Sequence, residues 1–183
     1  MRNLAIAALL VSGVLVSPAH AAVQTIGGGY AKSCFEAADA QYRTRQALDV
    51  CDKALTEEVL TREDRVATFV NRGIVKLRRG DLPPATADFD AALALNPMEP
   101  DAWLNKAILN VRYGNSAAAL PLVAKAIELK TRRPALAYFV RAVAYEDSGN
   151  IPAAYHDLQH ARALDPSWNE PVVELRRFQV RQR

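Results

Sequence analysis

The side chains that could do chemistry are few and poorly grouped. His156 and His160 stand four residues apart, a spacing that puts both imidazoles on one helical face and could seat a metal. No glutamate sits between them in the metalloprotease pattern, so two exposed helical residues are the plainer reading. Glu57 with Glu58, and Glu63 with Asp64, are adjacent acids of the kind used in acid–base work, but they fall in a linker-like stretch where solvation accounts for them. Gly27, Gly28 and Gly29 follow no strand and precede no Lys-Ser/Thr, so they do not make a phosphate loop. A Gly-x-Ser-x-Gly elbow is absent, and Cys34 and Cys51 lack the Cys-x-x-Cys spacing of a redox pair. The expectation is a non-enzyme with no catalytic residue, no metal and no cofactor.

The basic residues are more regular. Arg72, Lys106 and Arg141 recur along the chain, and their stems are expected to cover the core edge while the charges reach water. Arg78, Arg79 and the Lys130 to Arg133 stretch sit near predicted helix ends, where cations interact favourably with the C-terminal dipole. The 183 residues carry 23 basic and 20 acidic side chains, a net charge of +3. That balance is too even to argue for a nucleic-acid partner. With half the residues hydrophobic, one compact domain is expected.

Residues 1–21 read as an export signal: Arg2, then an apolar run over residues 4–16, then Ala19-x-Ala21. The run is too short for the ~20 residues that span a bilayer, so no integral membrane span is expected. Cleavage after Ala21 would send the chain to the periplasm or beyond. Residues 22–30, with three glycines, read as a flexible lead-in.

The elements that must position these side chains repeat. Gly80, Gly114 and Gly149 are 34 and 35 residues apart, and so are Ala92, Ala126 and Ala161; Phe69, Trp103 and Tyr138; and Leu95, Leu129 and Leu164. The units span 66–99, 100–134 and 135–168. In each, an aromatic at the fourth place is followed four later by a small residue, Gly73, Ala107 or Ala142. A Gly-Asp or Gly-Asn turn leads to a second helix carrying Phe89, Val123 or Leu158. Helices joined by a tight turn cross closely, which calls for small side chains at the crossing. Glycine closes the first helix in a left-handed conformation and the following Asp or Asn can cap the next.

Over about 100 residues this pattern resembles the tetratricopeptide repeat. The resemblance implies an all-α, right-handed solenoid of helix–turn–helix units. Residues 31–65 look like a degenerate N-terminal pair, with helices over 33–40 and 46–55 and a turn lacking glycine. Thr61 to Asp64 reads as a capping box opening the next helix. Residues 169–183 are expected to hold a capping helix over 169–180, with Val172, Leu175 and Phe178 inward and Arg176 and Arg177 outward. Aligning Ala54 with Ala92 sets Cys51 in the Phe89 column and Cys34 near the Arg72 column. Those places face each other in such a repeat, and in an exported chain a disulfide follows.

The resemblance also implies a concave groove lined by the first helices. The groove residues are Val70, Ile74, Leu77 and Arg78; Leu104, Asn105, Ile108, Val111 and Arg112; and Phe139 with Val143. This apolar set suggests a protein or peptide partner, bound as an amphipathic helix or an extended apolar segment, with Arg78 and Arg112 orienting an acidic group. Three alternatives stay open: the same residues could be half buried between neighbouring helices, they could be covered by residues 22–43, or the groove and terminal faces could be buried between copies of a self-assembling homo-oligomer.

Overall fold

The computed structural model describes residues 22–24 and 29–178. The expected export signal lies outside them, as do residues 25–28 of the lead-in and residues 179–183 of the capping segment. Among the described residues the regular structure is helical: α1 (Tyr30–Asp39), α2 (Arg45–Glu57), α3 (Arg62–Arg79), α4 (Leu82–Leu95), α5 (Pro100–Arg112), α6 (Ser116–Glu128), α7 (Pro134–Asp147), α8 (Ile151–Leu164) and α9 (Glu170–Leu175). Each helix packs on the next, and α1, α3, α5 and α7 form a second set of neighbours, the pattern of stacked helical hairpins. No helix among them is long and apolar enough to cross a membrane.

The turns follow from the glycines. Gly80, Gly114 and Gly149 adopt φ of 86°, 74° and 79°, a region that costs other L-residues roughly 1–2 kcal/mol. Where the first hairpin lacks glycine, Gln41 takes the left-handed place with φ 62°. The capping expectation holds only in part. Asn150 accepts from the Ala153 amide at 3.3 Å, whereas the Asp81 and Asn115 side chains cap nothing; Asp81 instead accepts from Arg79 Nε at 2.8 Å. Thr61 does cap α3, accepting from the Asp64 amide at 3.0 Å, and α3 therefore starts a full turn before Val66.

Acids that read as a solvated linker also have structural work. The Glu58 carboxylate accepts from the Tyr30 and Ala31 amides at 2.5 and 2.9 Å, capping the N-terminus of α1. The middle boundary, which lacks a proline, is held differently. Lys130 turns left-handed with φ 59°. The buried Asp101 then accepts from Thr131 Oγ1 at 2.5 Å and from Arg132 Nη1 at 2.6 Å, and α7 begins one residue early, at Pro134.

The core runs through the crossings. Ala85, Ala92, Ala119, Ala126, Ala154 and Ala161 are fully buried, as are Phe89 and Val123, with Leu158 nearly so. Gly73 lies against Phe89 so closely that a Cβ there would stand 2.5 Å from Phe89 Cε1. Cys34 and Cys51 are disulfide-bonded and buried, with Cα atoms 4.8 Å apart, so α1 and α2 are stapled where the other hairpins use a large side chain. The capping helix is shorter than the sequence suggests, six residues followed by turns to Phe178. Leu175, Phe178 and Trp168 pack on Phe139 and Leu158, and Arg176 and Arg177 are exposed as expected, Arg177 also pairing with Glu146 at 2.6 Å.

Candidate functional site

The repeated cations do not simply reach water. Arg72 donates to both oxygens of the buried Asp88, at 3.0 and 2.6 Å, and Arg141 does the same to the buried Asp157, at 2.7 and 2.9 Å. In the middle unit the matching acid is Leu122, and Lys106 turns instead to Asp90 of the preceding α4, at 2.5 Å. Each cation also lies over the aromatic three places earlier, Phe69, Trp103 or Tyr138. Burial alone would pull the Arg72 guanidinium down, but its bonds to Asp88 and Asp52 win and hold it above its ordinary value. For Arg141 the Asp157 bonds are the largest influence and act the same way. This ladder locks first helices to second helices and leaves these cations engaged within the fold.

His156 and His160 are exposed, with ring centroids 6.5 Å apart, and His160 leans on Tyr138 at 4.2 Å. Among the described residues no group of three metal-capable side chains gathers.

The expectation of an open apolar groove needs correcting. Val70, Ile74, Leu77 and Leu104 are fully buried, and Asn105, Ile108 and Phe139 are buried too. Val111 and Val143 are half-buried, and Arg112 is exposed. The cause is twofold. First helices pack side by side, so much of the presumed lining lies between neighbours. In addition the segment before α2 covers α3: α1 packs along it, and Val23 joins the same core cluster. The lead-in is therefore not free at residues 22–24. Phe139 belongs to the C-terminal cluster, its ring 4.9 Å from that of Trp168. Asn105 Nδ2 donates to the Asp101 carbonyl of its own helix at 2.7 Å.

Beside this lining lies a basic rim, with Arg78 and Arg112 at the ends of α3 and α5, Arg43 in the turn between α1 and α2, and Arg133 at the start of α7. Arg78 donates through Nη1 to the Ala38 carbonyl at the end of α1. Arg112 repeats the move one unit later, donating to the Leu77 carbonyl near the end of α3 at 3.2 Å. Arg79 donates to the Arg43 carbonyl at 3.1 Å, and Arg133 stands 3.8 Å from Asp39. The Arg78 and Arg112 bonds place guanidiniums on helix C-termini, where the dipole favours a cation, whereas Arg79 meets the turn between α1 and α2 and Arg133 meets a carboxylate. The arginines also feel one another. Burial, then Arg43 and Arg133, pull Arg78 down to about 10 against the attraction of Asp39; burial and then Arg43 lower Arg112. Arg43 and Arg112 are exposed, so the excess positive charge faces solvent.

The groove places implied by the resemblance included Arg78 and Arg112. They could not include Arg43 and Asp39, which lie around the glycine-less turn where the repeat register breaks. Arg133 was visible only as part of a basic run.

No family model and no curated protein matches the sequence. Among solved structures, the first tetratricopeptide-repeat domain of human RPAP3 matches with a TM-score of 0.58 and 22% identity, over 62% of this chain and 88% of that one. MamA from Desulfovibrio magneticus RS-1 matches with a TM-score of 0.61 and 22% identity, over 81% and 82%. An RS-1 MamA double mutant gives 0.62 over the same shares. The likeness is one of fold: the chain is an all-α solenoid of consecutive helix pairs of the tetratricopeptide-repeat kind.

Proposed function

We propose that this protein is a non-catalytic binding module of the bacterial cell envelope, exported by its N-terminal signal, and that it holds an acidic segment of a partner protein against the arginine rim of its concave side. One observation carries the reading: Arg43, Arg78, Arg112 and Arg133 converge there with Asp39 as the answering carboxylate, and two of them are lowered by burial and mutual repulsion. A further carboxylate would relieve that repulsion, and guanidinium groups bind carboxylates with directional, charge-assisted bonds. The buried Cys34–Cys51 disulfide is in keeping with an oxidising compartment.

The test is selection of random octapeptides displayed on phage against the wild-type protein, followed by retesting of the winners on Arg43→Glu and Arg112→Glu. The selected peptides are expected to carry Asp or Glu, to lose at least about tenfold in affinity on either variant, and to weaken with salt. Winners without acidic enrichment, or with unchanged affinity for both variants, would overturn the proposal.

A further inference from the structure

The chain already places a peptide on its own first full unit. Val23 is non-helical and buried. Its amide donates to Asn71 Oδ1 at 2.8 Å, and its carbonyl accepts from Asn71 Nδ2 at 2.7 Å. One carboxamide can engage both groups of one residue only where they point the same way, as in extended backbone, which is how paired strand residues exchange their bonds. The Val23 side chain meanwhile enters the core cluster that includes Val70 and Ile74.

Asn105 stands 34 residues after Asn71, at the same place in its helix. Its Nδ2 donates to the carbonyl of Asp101, four residues earlier, whereas Asn71 Nδ2 donates out to the Val23 backbone. If residues 22–24 left, the buried Asn71 Oδ1 would lose the Val23 amide that donates to it, which favours refilling the place with another peptide amide.

We propose that residues 22–24 are an intramolecular ligand, and that the place at Asn71 accepts an extended peptide carrying a small branched apolar side chain whenever this segment is displaced. The inference rests on the reading of the concave side as a protein-binding surface and specifies a second subsite on it: apolar and backbone-directed, beside the anion-directed rim. With cleavage after Ala21, the ligand is the start of the mature chain.

The experiment uses fluorescence anisotropy with a peptide of residues 22–28, capped at its N-terminus and labelled at its C-terminus. Wild-type protein, already self-occupied, is expected to bind it weakly. Val23→Asp, which expels the internal segment, is expected to bind at least about tenfold more tightly. A peptide with the same Val→Asp change should not bind, and adding Asn71→Ala to the Val23→Asp protein should abolish the gain. Because Asn71 is buried, a second readout guards against misfolding: the Val23 amide should be protected from hydrogen exchange in the wild type and exchange at least about tenfold faster in Asn71→Ala, with α5 amides unchanged.

A Val23→Asp protein that binds no better than wild type, or an unprotected Val23 amide, would overturn the proposal. A wild-type dimer that Val23→Asp dissociates would overturn its intramolecular form in favour of exchange between copies. The peptide carries no charged side chain, so Arg112→Glu should leave its affinity within about twofold. Failure here would leave the arginine rim standing, and failure of the rim would leave this subsite standing.

Discussion

Replacing Gly73 with alanine sets two effects of known size against each other. Glycine inside a helix costs roughly 1 kcal/mol relative to alanine, so on propensity the change should stabilise α3. The added Cβ, however, would stand 2.5, 2.9 and 3.0 Å from three atoms of the Phe89 ring. Phe89 is fully buried at the crossing of α3 and α4 and is no flexible chain end. Forcing one carbon into a well-packed core costs typically 1–3 kcal/mol. The net expectation is a loss of about 1 kcal/mol, or roughly 2–4 °C in melting temperature for a chain of this size. The other units show the compensation: Ala107 faces the column of Val123, and Ala142 that of Leu158, each smaller than phenylalanine. Gly73→Ala should therefore reverse sign in a Phe89→Leu background and stabilise it by about 1 kcal/mol. Urea midpoints for the four proteins of this cycle, followed by helical circular dichroism, give the coupling directly. A Gly73→Ala protein more stable than wild type, or a coupling near zero, would refute the claim that close crossing fixes the small residue.

Other outcomes follow from the same geometry. Arg141→Leu should destabilise by about 2–3 kcal/mol, because it strands the buried Asp157 carboxylate; Arg141→Leu with Asp157→Leu, imitating Leu122 of the middle unit, should recover most of the loss in urea melts. Burial raises the folded-state pKa of Asp101 and, with burial again the main cause, that of Glu99. The folded chain thus keeps these protons to higher pH than the unfolded one, so their contribution to stability falls as pH rises from about 4 through the raised values. The stability of Asp101→Asn relative to wild type should accordingly improve from pH 4 to pH 7, and a flat or opposite trend would contradict the assignment. Reduction of the Cys34–Cys51 bond should cost roughly 3 kcal/mol for a loop of this size, read as a drop in urea midpoint, and should deprotect amides of α1 and α2 before those of α7.

Where the chain repeats, sequence carried the structure well. The three glycine turns, the buried alanine columns and the facing of Cys34 with Cys51 are local consequences of close helix crossing, and each leaves a periodic trace. Contacts made once leave none. Val23 reaches Asn71 across 48 residues, Glu58 caps α1 from 28 residues away, and Arg43 enters the rim from a turn with no counterpart in the other units. The groove places of α3 and α5 were legible as apolar, and residues 22–43 as one possible cover for them, but the Val23–Asn71 bonds that seat that cover were not. The partners of Arg72 and Arg141 were missed for a related reason. Asp88 and Asp157 share a column that the middle unit breaks with Leu122, and Lys106 answers that break by reaching back to Asp90.

The central claim concerns which face of the solenoid meets its partner. It is tested most directly by titrating isotope-labelled protein with a phage-selected acidic octapeptide and mapping amide shifts. The account predicts the largest changes at Arg43, Arg79, Arg112 and Arg133, with smaller ones along the facing sides of α3 and α5. Shifts centred on the outer helices α4, α6 and α8, with the arginine rim unmoved, would contradict it.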